Sequence, residues 1–206
     1  SLTYFDALSM GSMGADAADM DNDLIPDLIV TEMLPETLSR QKNKQVYESY
    51  DKFTLAGSKG YHKQYPRNAL QRNLGNTFYE VGRQLGLSAT EWSWAALLFD
   101  MDNDGYKDVY ISNGIYKDLL DRDYLNYYAN DEQIIQILRE GKEVITDLID
   151  LMPSKAVINS VFRNNGDFTF SDKRLAWGLK QPSFSNGSAY GDLDNDGELD
   201  LVVNNV

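Results

Sequence analysis

Carboxylates carry the most evident chemistry in this sequence. Asp100, Asp102, Asp104 and Asp108 stand at positions 1, 3, 5 and 9 of DMDNDGYKD, with Gly105 at position 6. Alternate residues of a tight turn can converge their side chains on one point, and converging carboxylates repel unless a cation sits among them. Calcium takes six to eight oxygen ligands at about 2.3–2.6 Å in flexible geometry, which clustered carboxylates and a backbone carbonyl can supply. Tyr106, at position 7, is placed to lend that carbonyl, and Gly105 permits a left-handed turn. Magnesium favours a smaller, better hydrated octahedral shell. Zinc favours His or Cys, which the loop lacks.

The same set recurs as Asp192, Asp194, Asp196, Gly197 and Asp200, with Glu198 offering its carbonyl. An earlier copy keeps Asp19, Asp21, Asp23 and Asp27 but has Leu24 at the glycine position and Pro26 beyond it. Leucine at positive φ costs on the order of 1 kcal/mol or more. That site is expected to be weaker or of slightly different shape, giving two full calcium sites and a weaker third. An EF-hand would need a bidentate Glu at position 12 and flanking helices. Here position 12 is Val30, Ile111 or Val203, and the flanks read as strands.

The loops must be held by repeated elements. Ser12, Ser93 and Ser185 each lie seven residues before the first loop aspartate, and a small residue (Gly14, Ala95 or Gly187) follows two positions later. Three apolar or aromatic residues follow each loop, so each unit reads as strand, acidic loop, strand. A second unit alternates with the first. NALQRNLGNTFYEVGRQLGL (68–87) matches NSVFRNNGDFTFSDKRLAWGL (159–179) through Asn-x-x-x-Arg-Asn-x-Gly, a phenylalanine and a closing Gly-Leu. It reads as a hairpin with an Asn-Gly-type turn. Four strands per repeat is the blade of a β-propeller. The fold expected is therefore mainly β: a single segment over 1–206 with about two and a half four-stranded blades. Complete rings have four to eight blades, so the missing ones would belong to a longer parent chain.

Two inserts, 34–60 and 115–152, carry helical patterns between the second and third strands of their blades. The first is expected to stop at Gly57. The second has a stripe of Ile134, Ile137, Leu138, Ile145, Leu148, Ile149 and Met152, interrupted near Gly141. In a meander both inserts emerge opposite the acidic loops.

The acidic loops with their strands resemble FG-GAP or VCBS-type repeats, the calcium-binding blades also found in integrin alpha-subunit propellers. The Arg-Asn-x-Gly hairpins, WSWAALLFDMDNDGYKDVYISNG and TEMLPE resemble more narrowly a bacterial group akin to cartilage acidic protein, often associated with an ASPIC/UnbV-type domain that this sequence lacks. The resemblance implies a secreted, cell-surface or periplasmic calcium-binding propeller, with the aspartates named above as ligands.

Composition bounds the remaining readings. Among 206 residues the net charge is -13, which excludes the basic footprint of a nucleic-acid binder. There is no cysteine, hence no disulfide or thiolate site, and no apolar run spans a membrane. The opening SLTYFDALSMGSMG lacks the basic start and apolar run of a signal peptide. No nucleophile, base and acid can be matched into a catalytic set, and His62 is the only histidine, so no enzyme activity is expected. For a ligand, an extracellular protein or a glycan, Trp92 and the insert tyrosines Tyr124, Tyr127 and Tyr128 are candidates, because tyrosine offers rigid area and a polar tip. Blade packing and helix anchoring compete for the same residues. Arg72 and Arg163 are expected to make repeated hydrogen bonds within the blades.

Overall fold

The computed structural model describes residues 4–44, 49–127 and 142–206, with single positions 132, 135 and 139 between. The chain begins β1 (Leu8–Ser9), β2 (Ala15–Ala18), β3 (Asp27–Val30), α1 (Leu38–Lys44), α2 (Tyr50–Ser58), β4 (Gln64–Tyr65), β5 (Ala69–Asn73), β6 (Phe78–Glu80). It continues β7 (Ser93–Phe99), β8 (Asp108–Asn113), α3 (Arg122–Tyr127), α4 (Lys142–Leu151), β9 (Val157–Ile158), β10 (Ser160–Asn164), β11 (Phe170–Asp172). It ends β12 (Pro182–Ser183), β13 (Ser185–Gly191) and β14 (Asp200–Asn205).

These strands form two four-stranded antiparallel meanders, β2-β3-β5-β6 and β7-β8-β10-β11, and the hairpin β13-β14. None of the sheets closes on itself. The repeat dictates a shared register: Ile29 faces Leu70 in the first sheet as Tyr110 faces Val161 in the second. Every residue of β8 is buried, so this strand lies inside on both faces. Short two-stranded pairs, β1 with β4 and β9 with β12, brace the connections.

The core lies between sheets. Met20, Ile29, Leu70 and Leu87 of the first unit pack with Ala96, Leu98, Val109 and Ile111 of the second. Phe99, Tyr110 and Val161 then pack with Leu201 and Val203 of the third hairpin. Hydroxyls repeat across these seams: Thr31 Oγ1 donates to Trp94 O at 2.6 Å, and Ser112 Oγ donates to Asn186 O one unit later. Gly14 is small for a reason, since a Cβ there would stand 2.2 Å from Trp94 O.

The helices fall within both expected inserts. An antiparallel meander puts the β3–β5 and β8–β10 connections at the ends of the sheets opposite the acidic loops. Ser49 caps α2 by accepting the Lys52 N–H. Gly57 is not its stop but lies inside its last turn; the left-handed residue that follows the helix is Gly60, at φ +81°. Ile134, Ile137, Leu138 and Gly141 lie outside the described residues. Within α4, Ile145 and Ile149 are exposed and Leu148 is half-buried. Among the described residues no helix is long and apolar enough to cross a membrane.

Candidate metal centre

Each acidic loop joins the first two strands of its unit and is shaped by its own aspartates. In the second loop Asp100 accepts the N–H groups of Asp104 at 3.0 Å and Gly105 at 2.9 Å, one on each oxygen. Asp104 accepts the Tyr106 N–H at 2.9 Å. The third loop repeats this with Asp192 accepting from Asp196 and Gly197, and Asp196 from Glu198. The first does the same with Asp19, Asp23, Leu24 and Ile25. Positions four and six are left-handed in all three, at Asn22 and Leu24, Asn103 and Gly105, Asn195 and Gly197.

Leu24 therefore does not reshape the first loop. It takes φ +71°, against +92° and +89° for its glycine counterparts, with its side chain in solvent. The strain expected of leucine is accepted rather than avoided.

Three of the four aspartates in each loop come together. One carboxylate oxygen from each of Asp19, Asp21 and Asp23 lies within 4.8 Å of the others, as do those of Asp100, Asp102 and Asp104, and those of Asp192, Asp194 and Asp196. An all-oxygen carboxylate triad of this size suits a hard cation such as calcium better than a soft one. Tyr106 and Glu198 are tied into the loop through their amides, bonded to the fifth-position aspartate.

The ninth-position aspartates lie apart from these triads. Asp108 is buried, and its two oxygens accept the N–H groups of Met101 at 2.9 Å and Asn164 at 2.8 Å. Asp27 accepts from Met20 and Asn73 in the same way. Each thus ties its loop to the third strand of the sheet. Burial pushes the Asp108 carboxyl up to about 6 against the pull of these amides, with Asp102 and Asp104 adding repulsion. Asp27 is raised for the same leading cause. Asp200 accepts from Leu193 but stands exposed.

Sequence reasoning missed where the two arginines go. Arg163 reaches Asp102 through Nε and Asp104 through Nη2, both at 2.5 Å, and Arg72 Nη2 reaches Asp21 at 2.6 Å. The signal was available: the Asn-Gly turn between the third and fourth strands lies at the same end of the meander as the acidic loop. The asparagine beside each arginine completes the motif. Its N–H holds the ninth aspartate and its side-chain oxygen accepts the N–H of Gly75 or Gly166, both left-handed.

The aromatic candidates separate. Tyr124 is buried with its hydroxyl donating to Leu148 O at 2.9 Å, which joins α3 to α4 and removes it from any contact face. Trp92 is half-buried near Trp94, with ring centroids 6.3 Å apart. Tyr127 is 70% exposed. Tyr128 lies outside the described residues.

Residues 146–203 match an FG-GAP-like repeat family. That stretch takes the Asn-Arg hairpin of the second sheet together with the acidic hairpin that follows. No curated protein matches the chain.

Proposed function

We propose that the chain is a calcium-stabilised segment of an extracellular β-propeller, of the bacterial group akin to cartilage acidic protein, acting as a binding scaffold and not as an enzyme. The observation that carries this reading is the threefold recurrence of one loop geometry, each copy gathering three carboxylates at the tip of a hairpin. Polar turns alone do not call for the same carboxylates in register three times. Three bound ions would change the net charge from -13 to -7, since -13 + 3 × 2 = -7. Sites in extracellular modules bind calcium at roughly 10⁻⁴–10⁻³ M, which suits a secreted or surface location. The remaining blades would lie in a longer parent chain. The ion then stabilises the fold by mass action, and the aspartates do no chemistry on a substrate.

Thermal unfolding in millimolar calcium and in chelator tests this. Calcium should raise the midpoint by several degrees, and Asp102→Asn combined with Asp194→Asn should shrink the difference. Superimposable melts of the unaltered chain would sink the calcium reading.

A contact role beside the first insert is favoured by one further observation. Phe53, Tyr61, His62 and Met10 border a cleft of about 400 Å³ beside α2, with Tyr61 72% exposed. An exposed aromatic platform suits a glycan or an extracellular protein. Glycan-array and pull-down signals should fall on Tyr61→Ala while the melt stays put; signals that survive would move the contact face elsewhere.

A further inference from the structure

The outer edge of β14 carries a complete but unanswered set of bonding groups. In both four-stranded sheets the second strand is covered by a third, whose motif residues make the same bonds twice. The first asparagine of the motif accepts a backbone N–H: Asn68 Oδ1 from Glu32, and Asn159 Oδ1 from Asn113, both at 2.8 Å. The arginine pairs with loop carboxylates, and the second asparagine gives its N–H to the ninth aspartate. By register, the third hairpin offers the same acceptors and donor in Asp194, Asp196, Asp200 and the Asn205 N–H. Yet β14 is bonded only to β13 among the described residues.

Burial tells the same story. Val202 occupies the position of Ile29 and Tyr110; those two are 0% exposed and Val202 is 51% exposed. Asp200 is exposed where Asp27 and Asp108 are buried, and Asn205 where Glu32 and Asn113 are buried. An apolar strand edge with unpaired backbone groups is a template for strand addition.

We infer that the β14 edge is a docking site for an antiparallel hairpin of sequence Asn-small-apolar-x-Arg-Asn-x-Gly. Its apolar third residue covers Val202 as Leu70 covers Ile29 and Val161 covers Tyr110. Its first asparagine accepts the Asn205 N–H. Its arginine neutralises Asp194 and Asp196, where a net negative loop awaits a cationic partner. Its second asparagine donates its N–H to the free oxygen of Asp200. Only the repeat architecture is assumed, since the backbone pairing and the first asparagine's bond to the Asn205 N–H involve no loop carboxylate.

The test is the full chain extended after residue 206 by a flexible Gly/Ser linker and a copy of residues 159–172. Tethering supplies an effective concentration in the millimolar range, which offsets the weak ordering of a lone hairpin. Hydrogen exchange of the β14 amides, Asn205 among them, should slow at least tenfold relative to a fusion bearing the scrambled copy. Alanine in place of the appended arginine should return part of that protection, and proline in place of the appended second asparagine should abolish it. The protection should persist in chelator, which separates this inference from the calcium reading. Equal exchange in the authentic and scrambled fusions would overturn it. So would a concentration-dependent dimer that protects β14 in the unextended chain, because a second copy would then be the occupant.

Discussion

At the residue scale, the ninth-position aspartate does a different job from its neighbours. Asp102 and Asp104 meet solvent and Arg163, whereas Asp108 is buried and spends its oxygens on two backbone amides, Met101 of its own loop and Asn164 of the third strand. Its folded pKa, about 6, lies above the unfolded value near 4, so without a cation the folded state binds the proton more tightly than the unfolded chain does. The sign follows: in chelator this group contributes full stability below about pH 4 and loses it as the pH rises through 6. Asp27, also raised, adds to the same slope. Melting temperatures in chelator should therefore decline from pH 4 to 6 by less in Asp108→Asn than in the parent chain, although that variant is less stable throughout. An undiminished slope would show that other groups set it. The sixth loop position yields a second residue-scale prediction. Gly105 at φ +92° has nothing within 4 Å of a would-be Cβ, so Gly105→Leu meets backbone strain of about 1–2 kcal/mol, offset in part by about 0.5–1 kcal/mol from the stiffer unfolded chain. Leu24→Gly relieves that strain but frees the unfolded chain by about 0.5–1 kcal/mol, leaving a gain of up to ~1.5 kcal/mol. Denaturant midpoints should move in opposite directions for the two variants; a matched loss in both would contradict a shared loop conformation.

At the element scale, sheets are joined through their first strands, and small residues allow the approach. Gly14→Ala would drive a methyl into Trp94 O and should cost about 1–3 kcal/mol through forced separation of β2 from β7. Its repeat counterpart Gly187, on β13, has nothing within 4 Å, so Gly187→Ala should be nearly silent by equilibrium unfolding. A large loss at Gly187 would mean that the open side of β13 is covered by a further element in solution. This contrast also marks how far the elements were legible. Strand–loop–strand units, their pairing into four-stranded sheets and the two helical inserts follow from three aligned Asp-x-Asp-x-Asp runs and two Asn-Arg hairpins, because repetition makes each weak local signal count several times. The end of α2 was misplaced because Gly57 and Gly60 are equally good punctuation in sequence, and only the closing bonds from Lys59 choose between them. Among the loop residues, the triads were legible from alternation. The ninth aspartate's bond to the third-strand asparagine and the arginine's reach were not, since both depend on a strand 46 or more residues away.

At the scale of the whole molecule, the inserts are bound to the sheets by charge. Arg40 and Lys44 of α1 meet Glu91, which immediately precedes the β7 hairpin, and Asp118 of the second insert. Lys44 Nζ lies 2.5 Å from Asp118 and 3.8 Å from Glu91, and Arg40 holds both oxygens of Glu91. Lys44, Glu91 and Asp118 are all buried, and Asn43 adds a bond of 2.8 Å to Asp121, which in turn caps α3. Two cations thus face two anions, all but the partly exposed Arg40 out of water. Such a set is weakly stabilising as a whole, yet breaking one member leaves a buried charge uncompensated. Lys44→Met should therefore cost about 3–5 kcal/mol, because two carboxylates would then share one guanidinium. The double variant Lys44→Met, Asp118→Leu restores neutrality and should be more stable than Lys44→Met alone, a reversal that simple loss of packing would not produce. Losses that merely add would place the cluster in effective contact with solvent and free the inserts to move independently of the sheets. Coupling of the expected sign makes α1, the second insert and the segment leading into β7 parts of one cooperative unit.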